Sequence, residues 1–425
     1  MKNRFKIIGQ KKLCGSINIS GSKNVCMSIL IASILSNKMI IIRNIPIIND
    51  VKILIKILKL MGSKIFIYKN ICYINNNYIN KYNINFKIIN KIRSSILLLG
   101  PIISKFNKFI TIKPGGCKIG NRPINLHIKN IKKFNIDIKI YKNKIFCNKK
   151  NENNKTIFKE ITMEKKSVGV TLNIIFLLVI SNKITIINNC SLDIEILETI
   201  KFLNYLGSNI KIFKNKIVIF GVKKLKGGIY DIIYDRIELG TFIITSCISR
   251  GIIKLNNIEY KNDLKILIYK LKKIGHKINI GNNYIKIIPS IKYNSISIKT
   301  KEFPGFPTDL QPFICLLNIL SNNNKKKGII TENIFENRLT HINQFIKMKA
   351  TFNIINKKTI ICNNTKKLYG HKKIITNDLR SSATLIIAAC IAEGESIIYN
   401  IDNIYRGYED FEKKLIKLGA NIKKI

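Results

Sequence analysis

Residues 112–123 read IKPGGCKIGNRP, two prolines, three glycines, one cysteine and one arginine in a chain otherwise rich in isoleucine, lysine and asparagine. Pro114 stiffens the shoulder of this loop, and Gly115, Gly116 and Gly120 give it hinges. Gly-Gly-Cys between prolines is no core pattern, so Cys117 stands apart as a thiol placed for chemistry. The other nine of the ten cysteines are scattered singly without a CxxC pair and read as small hydrophobes of a reducing compartment. With the four histidines equally dispersed, neither a disulfide framework, a metal centre nor a cofactor is expected.

A second set of chemistry-bearing residues emerges from the charge. The chain has 425 residues, and 74 Lys+Arg against 24 Asp+Glu give a formal charge of +50. Only nine cations are arginine, at 4, 43, 93, 122, 236, 250, 338, 380 and 406. In so lysine-rich a chain an arginine persists where its planar, bidentate fork cannot be replaced. The lysines are spread evenly, with no blocked tail, aromatic stacking platform or arginine cluster, so no nucleic-acid partner is expected. No run approaches the ~18 apolar residues of a membrane span. NIIFLLVI (173–180) reads as a core helix, and the opening MKNRFKIIGQKK has too short an apolar run for a signal peptide, so the expectation is a soluble, cytoplasmic protein.

The elements that must position these groups repeat. Six times the chain runs from a polar opening through an apolar helix, a β-rich segment and a second helix into an ending such as LMGSKI (60–65), FNIDI (134–138), LGSNI (206–210), IGHKI (274–278), MKATF (348–352) or LGANI (418–422). The endings lie roughly 70 residues apart, longer than solenoid repeats, which makes each unit a small α/β module and suggests two groups of three. The segment 29–65 reads helix, strand, turn at Pro46, amphipathic helix, stop at Gly62, strand. The openings are SGSKN (20–24), KIRSS (91–95), KKSVG (165–169), DRIELG (235–240), FPTD (306–309) and NDLRSS (377–382). Each precedes a helix, where free N–H groups and the dipole favour anions. Related by rotation, such openings would face a common cleft and bind a strongly anionic small molecule.

The motifs SGSKN, RSSILLLGP, PGGCKIGNRPINLH, KSVGVTLNI, DRIELGTF, FPGFPTDLQ, TENIFENRLTHI, TNDLRSSATLIIAACIAEGES and YRGYEDFEKKLIKLGANI, in that order, resemble the UDP-N-acetylglucosamine 1-carboxyvinyltransferases along nearly the whole chain. The resemblance implies an α/β fold of two domains, an inside-out α/β barrel of six βαβαββ repeats, three per domain. Residues 22–233 would form the first domain, with the Cys117 loop, and residues 1–21 plus 234–425 the second, with the active site in the cleft between them. It also implies transfer of the enolpyruvyl group of phosphoenolpyruvate to the 3′-hydroxyl of UDP-N-acetylglucosamine, the first committed step of peptidoglycan synthesis, by addition and elimination through a tetrahedral ketal.

The same resemblance assigns roles. Cys117 would be the general acid that protonates C3 of phosphoenolpyruvate, and Asp309 would take or orient the proton of the 3′-hydroxyl. Lys23, Arg122 and Arg406 would surround the phosphate, with Asn24 close by and Arg338 and Arg380 nearer the carboxylate. Asn24, Asp309 and Ile334 would hold the sugar. Arg93, Lys165, Ser167, Val168 and Gly169 would hold the nucleotide and diphosphate, and Arg122, Pro123, Ile124, Asn125 and Leu126 the uridine. His127 reads as a structural histidine rather than a contact. No metal, cofactor or macromolecular partner is implied, and a monomer is expected. The chain departs from the family at Asn125, where aspartate is usual; the amide still accepts from uracil N–H, without charge. The cysteine of the loop is kept, as in fosfomycin-sensitive members. The sister 5-enolpyruvylshikimate-3-phosphate synthases share fold and donor, but the PGGC loop, the RPINLH run and FENR count against them.

Overall fold

The structure is a computed structural model that describes residues 3–84, 87–115, 120, 123–150, 158–322 and 327–425. The chain divides into two compact units, one from the described residues of Met1–Ser20, Cys117–Asn121 and Tyr234–Ile425, the other from those of Gly21–Gly116 and Arg122–Ile233. Each unit has its own hydrophobic core.

Both units are built from the same module. Among the described residues, isoleucine-rich segments pair into six sheets of four strands, and every sheet has one order. In one example Phe158–Thr162 runs parallel to Ile184–Asn188, which pairs antiparallel with Lys216–Phe220, itself antiparallel to Asn209–Phe213. The parallel pair needs a crossover helix, and the antiparallel pair only a hairpin. Each module is therefore βαβαββ. The N-terminal strand Phe5–Ile8 lies between Glu395–Tyr399 and Asn421–Lys424, completing the sheet of the last module. Gly15–Asn18 pairs with Ile253–Asn256, and Gly228–Asp231 with Ile40–Arg43. The first strand of each unit's first module thus comes from a distant part of the chain.

The helices differ in kind according to their place in the module. Lys23–Ala32, Leu99–Phe106 and Val168–Leu178 in one unit, and Arg236–Ser249, Gln311–Ile319 and Leu379–Ile391 in the other, are mostly apolar and, apart from the last turn of Leu99–Phe106, buried almost throughout. A helix without a polar face is stable only inside. NIIFLLVI forms the body of one of them, as its composition indicates. The second helices are amphipathic: Asn49–Leu60 buries Val51, Leu54, Ile55 and Leu58 and exposes Lys52, Lys56 and Lys59. Helices therefore fill each unit and sheets cover it, the inside-out arrangement expected from the family.

Threonine hydroxyls in the inner helices are satisfied locally. Thr241 donates to Ile237 O at 2.8 Å, Thr245 to Thr241 O at 2.7 Å, and Thr384 to Arg380 O at 2.8 Å. Asn173 reaches further. Its Oδ1 accepts from Gly100 N at 2.9 Å, and its Nδ2 donates to Ile96 O at 3.1 Å and His127 Nδ1 at 2.8 Å. One amide thus ties three elements together.

The six endings share one backbone state. Gly62, Gly207, Gly275 and Gly419 have φ between 97° and 109°, while Asn135 (57°) and Lys349 (68°) take the equivalent place in FNIDI and MKATF. A left-handed residue after the last helical turn lets the chain reverse into the next strand, and glycine enters that region without a Cβ clash. At Gly62 a Cβ would lie 2.4 Å from Tyr78 O, so a side chain has no room there.

Candidate active site

All six openings identified in the sequence stand at helix starts. Four are capped by side chains: Ser22 Oγ accepts from Val25 N, Ser167 Oγ from Val170 N, Asp235 from Ile237 N and Glu238 N, and Asp378 from Arg380 N and Ser381 N. The other two, KIRSS and FPTD, enter through 3-10 turns, Arg93–Leu98 and Thr308–Leu310.

In the unit of residues 234–425 the three openings form a charged cluster. Asp309 Oδ1 is 2.5 Å from Arg338 Nη2, and its Oδ2 is 3.2 Å from Arg380 Nη2. Arg338 Nη1 is also 3.9 Å from Asp378 Oδ1. Arg338 and Arg380 are only 2% and 4% exposed, whereas the Asp309 side chain keeps 27% of its surface. The carboxylate is thus the part of the cluster a ligand could reach. Burial by itself would raise its pKa, but Arg380, Arg338 and Arg236 together hold it well below the usual carboxylate range.

Asp309 does not cap the helix it precedes. The following helix Gln311–Ile319 starts with Pro312 in its first turn and has no side-chain cap, so the carboxylate is left for the guanidiniums. Arg380 lies over the Tyr408 ring, 5.0 Å from its centroid, and Tyr408 OH is 2.8 Å from Thr241 Oγ1. Burial, partly offset by Arg380, pushes the Tyr408 hydroxyl up to about 12. Arg406 ends the 3-10 helix Ile401–Arg406 and is half-buried. Ile334 is half-buried in the loop after the strand Gly328–Thr331, where its N–H donates to Glu332 Oε1 at 2.8 Å.

In the unit of residues 21–233 the candidate groups are more open. Lys23 starts the helix Lys23–Ala32, and its Nζ is 2.7 Å from Asp50, a buried carboxylate in the first turn of Asn49–Leu60. Asn24 is exposed, and its amide donates to Glu195 Oε1 at 3.3 Å. Lys165 is exposed ahead of the Ser167 cap, and Val168 and Gly169 open the helix Val168–Leu178, half-buried. A Cβ on Gly169 would lie 3.0 Å from His127 Cε1, so glycine there lets the imidazole pack against the helix start. Gly100 N fixes the Asn173 amide, which then donates to His127 Nδ1 and leaves the ring proton on Nε2. Burial, with Arg93 nearby, pushes the His127 pKa down to about 4, so the ring is neutral near pH 7. The imidazole is buried and partnered, the structural reading of this residue.

Arg93 begins its 3-10 turn half-buried. Pro123 and Asn125 are exposed, Leu126 is half-buried, and Ile124 is buried before the helix Asn125–Lys132. Cys117 and Arg122 lie outside the described residues. Among the described residues no His/Cys/Asp/Glu group is arranged to hold a metal ion, and no helix is long and apolar enough to cross a membrane.

The sequence reading missed the supporting carboxylates Asp50, Glu195, Glu332 and Asp378. Asp378 carried a signal, since Asp-Leu-Arg-Ser has the spacing of a capping box, here completed by Ser381. The others left none, because the side chains they meet lie 24 to 171 residues away.

Comparison with known proteins places this arrangement. Residues 7–415 match the family model described as EPSP synthase (3-phosphoshikimate 1-carboxyvinyltransferase). UDP-N-acetylglucosamine 1-carboxyvinyltransferases from Buchnera aphidicola subsp. Schizaphis graminum and Wigglesworthia glossinidia brevipalpis are 43% and 41% identical over 425 residues. The match spans all of this chain in both cases, and 100% and 99% of the relatives. Among solved structures, the enolpyruvyl transferase NikO from Streptomyces tendae has a TM-score of 0.88 at 17% identity, covering 100% of this chain and 99% of that one. An EPSP synthase from Acinetobacter baumannii has 0.75 at 16%, covering 100% of both. At such identities the structural likeness speaks to the fold. The full-length sequence identity goes further: the chain belongs to the UDP-N-acetylglucosamine 1-carboxyvinyltransferase family, within the wider EPSP synthase family.

Proposed function

We propose that this chain transfers the enolpyruvyl group of phosphoenolpyruvate to the 3′-hydroxyl of UDP-N-acetylglucosamine and releases phosphate, as a cytoplasmic monomer committing the sugar to peptidoglycan. The observation that carries this reading is 43% identity, end to end, with a relative of that name. The EPSP synthase family model shares the donor and differs in the acceptor, so acceptor choice is the point to test.

In the reaction Cys117 donates a proton to C3 of phosphoenolpyruvate, which makes C2 electrophilic, and the 3′-oxygen adds to C2. Loss of a proton from C3 and departure of phosphate then restore the double bond. The environment of Asp309 refines its part. A carboxylate held this low by neighbouring guanidiniums is a weak base, suited to orienting the hydroxyl and accepting its proton late, once the new C–O bond has made that proton acidic. Arg338 and Arg380 thereby gain a second task besides facing the donor's carboxylate. Lys23 and Arg406, with Arg122, neutralise the departing phosphate. The first turn around Ser167, Val168 and Gly169, with Lys165 and Arg93, supplies amides and cations for a diphosphate. Pro123, Ile124, Asn125 and Leu126 hold the uridine.

The deciding experiment follows phosphate release from phosphoenolpyruvate with UDP-N-acetylglucosamine or with shikimate 3-phosphate, using the native enzyme and C117A. Release that depends on the nucleotide sugar and is lost in C117A is the expected result. Release with shikimate 3-phosphate alone would overturn the acceptor.

A further inference from the structure

Glu332 is 1% exposed, and its carboxylate accepts four hydrogen bonds from three separate segments. Oε1 takes Thr300 Oγ1 at 3.0 Å, Ile334 N at 2.8 Å and Phe335 N at 3.1 Å, and Oε2 takes Thr308 Oγ1 at 2.9 Å. Thr300 in turn accepts from Asn333 N at 2.8 Å, which closes the turn around the carboxylate. All four donors are neutral, so the group is held by hydrogen bonding rather than by a salt bridge.

The partners are placed tellingly. Thr308 immediately precedes Asp309, and Ile334 is the loop residue read as a sugar contact. One oxygen of Glu332 therefore fixes the turn that presents Asp309, and the other fixes the loop that presents Ile334. We propose that Glu332 is a positioning residue that sets Asp309 and Ile334 at one spacing for the acceptor sugar. The inference rests on the acceptor roles of these two residues given above. It makes Glu332 a determinant of acceptor use, with phosphoenolpyruvate binding left to other groups.

The two oxygens allow the two arms to be separated. In E332Q the amide carbonyl still accepts from the two N–H groups, whereas the NH2 cannot accept from the Thr308 hydroxyl. T308V removes that second arm alone. Steady-state kinetics with each substrate varied, together with thermal unfolding, should show E332A raising KM for UDP-N-acetylglucosamine and lowering kcat, each by about 10- to 100-fold, as small misplacements near reacting groups do. KM for phosphoenolpyruvate should stay within about twofold. E332Q and T308V should keep most of the acceptor affinity and lose kcat alone, by about 10-fold.

Equal effects on both substrates, or lowered thermal stability with unchanged kinetics of the folded enzyme, would overturn the positioning role. D309N serves as the control. Unimpaired turnover in D309N would sink the acceptor reading itself, whereas an impaired D309N beside a kinetically normal E332A would sink only the role of Glu332.

Discussion

The two units present their candidate residues in opposite ways. In residues 234–425 the arginines are buried, the acid is half-buried, and they neutralise one another before any ligand is considered: Asp309 between Arg338 and Arg380, and Arg338 also beside Asp378. In residues 21–233 the groups Asn24, Pro123, Asn125 and Lys165 are exposed and keep their hydration. Lys23, paired with the buried Asp50, is the member of that unit closest to the first pattern. The difference matches the chemistry proposed for each. Orienting a hydroxyl for attack needs a carboxylate whose place and ionisation are fixed in advance. Recognition of a long, flexible nucleotide can be spread over many surface contacts, each of small energy.

The contrast breaks most sharply at Asp309. D309N should lower phosphate release about 10²- to 10⁴-fold, the range of a lost acid–base group. It should also lower stability by up to about 3 kcal/mol, because Arg338 and Arg380 stay buried without their anion. Thermal melts beside the kinetic assay check both. A K165A enzyme, altered at an exposed site of the other unit, should lose affinity for the nucleotide sugar and keep its melting temperature. Unchanged stability in D309N, or a large loss in K165A, would erase the distinction.

The unit of residues 21–233 has its own preset element in Asn173. N173A removes the amide from Gly100 N–H and the His127 ring, while Ile96 C=O keeps the Leu99 N–H. The expected cost is about 3 kcal/mol, read by chemical denaturation.

Acid acts on buried groups in both units. His127, His276 and His341 are pushed down to about 4, burial being the main cause in each, and they are neutral in the fold. Their stabilising contribution is complete above the unfolded value near ~6.5 and is lost as pH falls toward ~4, since the unfolded chain takes up protons that the folded one refuses. The slope should be about 1.4 kcal/mol per pH unit for each histidine. Two of the three lie in the unit of residues 234–425, where Glu238 and Asp263, raised by burial, take up protons more readily in the fold and offset part of that loss. Asp309, with its lowered pKa, adds a further loss in that unit at still lower pH. Denaturation followed between pH 7 and about 4.5 tests the sign.

The smallest expected effects are at the helix caps. S167A should cost about 1 kcal/mol, and D378A more, because Asp378 accepts two N–H groups and faces Arg338. Equal costs would mean that the charged cluster adds nothing to the cap.

Much of this was legible from one chain. The six modules showed themselves through endings such as LGSNI and LGANI because a helix that reverses into a strand needs a left-handed residue there, and glycine fills it four times. Asn135 and Lys349 hide the same backbone state under other side chains. The inner helices were readable from NIIFLLVI because a helix apolar on every side has only one place to go. Arginine scarcity drew attention to positions 338 and 380. It could not show that both would grip Asp309.

What the amino-acid order settled by itself was local: helix and strand periods, caps, left-handed stops, and the motifs that carry the family. These depend on residues within one or two turns of each other, so neighbours in sequence contain the information. Only the tertiary structure decided that Asp309 meets arginines 29 and 71 residues away, that Asn173 supports His127, and that Glu332 holds Thr308 and Ile334 together. Such contacts form where distant segments pack, and the guanidiniums that keep the Asp309 carboxylate ionised, like the burial that keeps the His127 ring neutral, are in place only once they have done so.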